Sequence, residues 1–185
     1  DTLDRITGLN NFAQATSLLD LGAGPGLFGM AVAKARPDMR VSLLDRPQVV
    51  WHARSVARRR GMEDKLHFLE GDMFQGGLSG QYDIIFASDC LYAARNQLAE
   101  FFCTLKDHLT PGGAVVLRHV ETTHDATAPR ANALLNLGAE LIGFGEYMFT
   151  TGDIPKALRA AGFSLISSAP QEHVTHLYTI HTAYK

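Results

Sequence analysis

No stretch of this chain approaches the ~18 consecutive apolar residues that a membrane-spanning helix needs, so no membrane partner is expected. An excess of one charge is also missing. Lys and Arg number 17 against 19 Asp and Glu, a formal charge of −2, and nothing in that balance announces a nucleic-acid partner. The densest basic run, Arg54 with Arg58, Arg59 and Arg60, falls in a helix-like segment and reads as a solvated face. Cysteine is scarce, with only Cys90 and Cys103. Neither has CxxC or Cys/His spacing, which argues against a metal site; two reduced, buried thiols of a cytoplasmic protein are expected. The start lacks a leader pattern and opens on Asp1 rather than Met, so a piece of a longer protein is expected.

What is present fits one domain with a sizeable core: 185 residues, 46% hydrophobic and 19% charged. Its most informative stretch is Leu18-Leu19-Asp20-Leu21-Gly22-Ala23-Gly24-Pro25-Gly26. An apolar strand runs into glycines at alternate positions, and a helix follows. Such a turn brings backbone close to a bulky ligand, and the helix adds unpaired N–H groups at its positive end.

Strand-like runs alternate with helix-like segments. Strands are expected at 17–21, 40–44, 65–69, 82–87 and 114–120, with Pro111-Gly112-Gly113 as a tight turn before the last. Helices are expected at 27–36, ended by Pro37, at 48–60, closed by Gly61, and at 97–109. This alternation predicts a parallel sheet with helices on both faces, and a ligand site outside the carboxyl ends of the strands. Beyond it come a polar stretch at 122–127, helices at 129–143 and 153–160, and two strands at 163–167 and 174–182 that read as an antiparallel hairpin. The segment 122–152 breaks the alternation and reads as a substrate-side cap on a single domain of residues 1–185.

A dinucleotide fingerprint competes for the glycine turn. Gly24-Pro25-Gly26-Leu27-Phe28-Gly29 matches G-x-G-x-x-G, and Asp45 lies about 20 residues on, where an acid accepts from ribose hydroxyls. The register argues against NAD, because the match starts two residues after the strand has ended at Gly22. Glu70-Gly71-Asp72-Met73-Phe74 then offers an acceptor for an adenine amino group and an apolar face for the ring.

Leu-Asp-Leu-Gly-Ala-Gly-Pro-Gly, Leu-Leu-Asp45, Gly-Asp72-Met, Tyr-Asp83-Ile-Ile-Phe and Leu-Thr-Pro-Gly-Gly occur here in that order across 17–120. In this the chain resembles class I S-adenosylmethionine-dependent methyltransferases. Ala35-Arg36-Pro37, Asp45-Arg46-Pro47, Gly71-Asp72-Met73-Phe74 and Ala161-Gly162-Phe163 make it similar to the small-molecule O-methyltransferases of the caffeate and hydroxyindole type. The resemblance implies a Rossmann-like α/β fold: a doubly wound, mostly parallel sheet with an antiparallel C-terminal strand and helices on both faces. It implies S-adenosylmethionine as cofactor, S-adenosylhomocysteine as product, and a small-molecule acceptor methylated at oxygen. The implied cofactor set is Asp20, Gly22, Ala23, Gly24 and Gly26 around the methionine part, Asp45 with Arg46 at the ribose, Asp72 and Met73 at the adenine, and Ser88 where relatives carry a lysine. Relatives also carry an N-terminal dimerisation domain, so a homodimer is compatible with a longer chain.

The chemistry is less legible. The family's base is the His of Leu-His-x-Trp-x-Asp after strand four; here Leu91-Tyr92-Ala93-Ala94 puts Tyr92 in its place. A phenol with a pKa of ~10 is a poor base near neutral pH. His119, at the expected end of strand five, and Glu121 are the substitute candidates, with His124, Glu146 and Tyr147 facing substrate. His52 reads as an ordinary helix position, and His173, His176 and His181 as a terminal strand without metal spacing. A domain that binds the cofactor without methylating, and an NAD-dependent oxidoreductase, remain the alternatives.

Overall fold

A computed structural model describes residues 2–122, 130–141, 148–172 and 177–185. A short helix α1 (Thr2–Thr7) leads into β1 (Ser17–Leu21), α2 (Leu27–Ala35), β2 (Arg40–Asp45), α3 (Pro47–Arg59), β3 (Leu66–Glu70) and β4 (Tyr82–Ser88). A 3-10 turn at Tyr92–Gln97 precedes α4 (Leu98–Asp107) and the long β5 (Leu109–Thr122). Then come α5 (Arg130–Leu141), β6 (Phe149–Thr150), α6 (Asp153–Ala160), β7 (Ser164–Glu172) and β8 (Leu177–Tyr184).

The strands pair in the order β3-β2-β1-β4-β5-β8-β7, with β6 beside the end of β5. β1 to β5 run parallel, and β8 lies antiparallel to both β5 and β7. The order reverses between β1 and β4, which is where a parallel sheet opens a crevice for a ligand. The expected doubly wound sheet with its antiparallel C-terminal strand is therefore the observed one.

Alternation along the central strands explains why both faces are dry. Leu18, Ile84, Phe86 and Val116 face one core with Met30 of α2 and Ala53 of α3. Leu19, Ile85, Ala87 and Leu117 face the other with Phe102 and Leu105 of α4 and Leu158 of α6. Near-continuous apolar runs are what strands covered on both faces require. Asp83 ties the amino ends of the strands together, accepting hydrogen bonds from the backbone and hydroxyls of Thr16 and Ser17 and from the Thr110 hydroxyl. Burial works against its charge, but these donors outweigh it and hold the carboxyl below its usual range.

Several expectations need correction. Pro111-Gly112-Gly113 is not a turn ahead of β5 but an irregularity inside it: pairing with β4 jumps from Tyr82–Leu109 to Ile84–Ala114. β5 also runs on to Thr122, so His119 lies within the strand rather than at its end. The helix expected at 97–109 is shorter, running Leu98–Asp107, because a 3-10 turn takes Gln97 and β5 already begins at Leu109. Cys103 is exposed and Cys90 half-buried, so only the second contributes to the interior. The basic run behaves as expected, with Arg54 and Arg58 paired to Glu63 on the outer side of α3. Of the cap segment, α5 and β6 are described; His124, Glu146, Tyr147, His173 and His176 lie outside the described residues.

Candidate cofactor site

The carboxyl ends of β3, β2, β1 and β4 open onto one cavity of about 480 Å³. Each strand delivers its residues where it stops. β3 leads to Gly71, Asp72 and Met73, β2 to Asp45 and Arg46, β1 to Gly22 and Gly24, and β4 to Ser88 and Asp89; Tyr92 lines it from the 3-10 turn. A volume of this order suits a nucleoside-sized ligand.

The glycine turn is built against its surroundings. Gly22 has φ +65, and a Cβ there would lie 2.7 Å from Cys90 Cβ and 2.9 Å from Met73 Cε. Any side chain at this position would push into the wall opposite. Gly24 has its N–H on Asp45 Oδ2 at 2.9 Å, while Asp45 Oδ1 accepts the N–H of Arg46 at 2.8 Å. These two bonds lock the carboxylate at the mouth of the turn, beside the cavity. Asp72 is fixed in the same manner, accepting Phe74 N–H at 2.9 Å and the Gln75 side-chain amide at 3.2 Å.

Asp20, Ala23 and Gly26 do not line the cavity. Asp20 is buried beneath the turn and accepts the N–H of Gly29 at 2.8 Å. Burial pushes its carboxyl up to about 7, the Gly29 bond opposes the shift, and the Asp45 charge adds to it. Asp20 therefore shapes the turn from below instead of touching a ligand.

The substitute bases sit elsewhere. His119 is buried against Phe149, with ring centroids 5.3 Å apart and nearly perpendicular. Its Nε2 has no hydrogen-bond partner among the described residues. Burial, with the nearby His181 and Arg118, pushes its pKa down to about 3. Glu121 is also buried, accepting from or sharing a proton with His181 Nε2 at 2.8 Å, while His181 Nδ1 meets Ser168 Oγ at 2.8 Å. Neither residue reaches the cavity lining, because β8 packs along β5 and draws them into the interior. Tyr92 does reach it, but burial raises its phenol still further, with Cys90 adding to the shift.

The sequence reading missed Asp89 and Phe74 in the lining, and gave Cys90 no role there. The Cys90 thiol donates to the Leu21 carbonyl at 3.3 Å, and burial beside Asp20 and Asp89 keeps it protonated. A carboxylate directly after a parallel strand was itself a signal for Asp89, since ligands meet that edge.

A sequence model of the O-methyltransferase domain matches residues 2–164. The chain belongs to the O-methyltransferase domain family. It is 28% identical over 157 residues to the S-adenosyl-L-methionine-dependent methyl transferase PigF of Serratia sp., covering 83% of this chain and 45% of that protein. Among solved structures, the apo form of the S-adenosylmethionine-dependent methyltransferase SibL superposes with a TM-score of 0.83 at 24% identity, over 99% of this chain and 54% of that one. An O-methyltransferase family 2 protein from Planctomyces limnophilus, in complex with apigenin, gives 0.79 at 25% identity, over 91% and 50%. The chain thus spans about half the length of the relatives it matches.

Proposed function

We propose that this domain binds S-adenosylmethionine and, in its whole protein, transfers the methyl group to oxygen on a small molecule, releasing S-adenosylhomocysteine. The observation that carries the reading is one cavity bringing together Gly22, Gly24, Asp45, Asp72 and Met73 at adjacent strand ends. On this reading Asp45 accepts from ribose hydroxyls, Asp72 and Met73 meet adenine, and Gly22 with Gly24 admit the methionine part; Arg46 and Ser88 also line the cavity. When bound, the cofactor supplies an electrophilic methyl group on a sulfonium. The chain's contribution is to hold that group in line with an acceptor and shield it, and such positioning alone supplies much of the rate.

Tyr92 favours a second reading, a domain that keeps the cofactor without methylating, because a phenol whose pKa is raised above its ordinary value is a poor base near neutral pH. The apigenin bound to the Planctomyces limnophilus relative supports a small-molecule acceptor. We further place residues 1–185 in one domain with 122–152 capping the substrate side, in a cytoplasmic protein that pairs as a homodimer and binds neither membrane nor nucleic acid. No described helix is long and apolar enough to cross a membrane.

Calorimetry with S-adenosylmethionine, S-adenosylhomocysteine and NADH tests the assignment. Binding of the first two supports it, and binding of NADH alone overturns it in favour of an oxidoreductase.

A further inference from the structure

The cavity has two chemically different ends. The β3–β2 end carries Asp72, Met73 and Asp45, the adenosine partners of the reading above. A ligand laid across the strand ends then places its amino-acid tail over β1 and β4. There the wall carries an ion pair: Arg118 Nη1 lies 2.6 Å from Asp89 Oδ2.

This pair is built with care for geometry. Arg118 also donates to Ser88 Oγ at 3.1 Å, and its guanidinium stacks 3.7 Å from the centroid of the Tyr178 ring. Asp89 Oδ1 accepts the N–H of Val120 at 3.1 Å. Arg118 is 13% exposed and sits behind, whereas Asp89 is 23% exposed and belongs to the cavity lining. Asp89 also has φ +50, a left-handed conformation that costs a non-glycine residue energy. Partly buried ion pairs contribute little net stability, so strain at such a pair points to use.

We propose that Asp89, held in place by Arg118, binds the α-ammonium group of the cofactor's amino-acid tail. The inference rests on reading the cavity as an S-adenosylmethionine site. It makes Asp89 a cofactor-binding residue and Arg118 the positioning residue behind it. A rival role, tying β4 to β5 through Val120, needs no ligand.

Two probes separate these roles. S-adenosylhomocysteine carries the tail, and 5′-methylthioadenosine has the same nucleoside without ammonium or carboxylate. In Asp89→Asn, affinity for S-adenosylhomocysteine should fall about tenfold or more, the scale of a lost charge-assisted hydrogen bond, with methylthioadenosine binding unchanged. Arg118→Lys, which keeps the charge but loses the planar guanidinium stacked on Tyr178, should move the ratio of the two affinities in the same direction. Equal weakening of both probes, or no weakening of either, overturns the proposal. If the native chain binds neither probe, the cofactor reading fails, and the tail assignment with it.

Discussion

Asp20 accepts the backbone N–H of Gly29 at 2.8 Å from a fully enclosed position under the glycine turn. The bond joins the end of β1 to the first turn of α2, so the carboxylate sets how the turn presents Gly22 and Gly24. Its pKa of about 7 in the fold lies above the ordinary value of 3.8, burial being the main cause.

A pH dependence follows from that shift. Between pH 4 and 7 the folded chain holds a proton on Asp20 that the unfolded chain releases. The stabilisation is therefore complete below about pH 4 and is lost as pH rises through about 7. Urea unfolding at pH 5 and pH 8 should show native stability falling by on the order of 2 kcal/mol more than in Asp20→Asn. Parallel profiles for the two proteins would show that Asp20 is ionised throughout.

Gly22 and Gly24 should respond differently to the same methyl group. At Gly22 the added Cβ meets Cys90 and Met73, so Gly22→Ala should cost about 2 kcal/mol or more and distort the cavity. At Gly24 no atom lies within 4 Å, and Gly24→Ala should cost only about 1 kcal/mol of backbone strain at φ +54. The methyl there stands at the cavity, so ligand affinity should drop while the loss of stability stays smaller than at Gly22. Denaturation and calorimetry on both variants check the contrast.

His119 should remain neutral through the physiological range, as its pKa is pushed down to about 3. The unfolded chain takes up this proton first, so stability falls as pH drops from about 6.5 towards 3. Its imidazole NMR signals should not titrate between pH 8 and 5. On the same logic, His119→Gln should remove on the order of 2 kcal/mol of the acid sensitivity between pH 7.5 and 5. A midpoint near pH 6.5 would return His119 to the list of candidate bases.

The fold was legible because its signals are local. Glycines at alternate positions, Asp45 at a strand end and Gly61 closing α3 each act within a few residues, and the helix and strand periods are strong. The carboxylates Asp45 and Asp72 were legible for the same reason, lying directly where β2 and β3 stop. His119 and Glu121 were misjudged because their fate depends on β8, some 60 residues away, which packs along β5 and supplies His181 to Glu121. Asp89 carried the same strand-end signal directly after β4 and was overlooked; only its pairing with Arg118 of the neighbouring strand is invisible in sequence spacing.

In the proposed site Asp45 and the glycine turn hold the adenosine of S-adenosylmethionine. Calorimetric titration of S-adenosylhomocysteine into the native chain and into Asp45→Ala tests it most directly. The native chain should bind, and the variant should lose about 1–3 kcal/mol, the scale of a buried acceptor removed from a polar ligand. Equal affinity in the two proteins would contradict it.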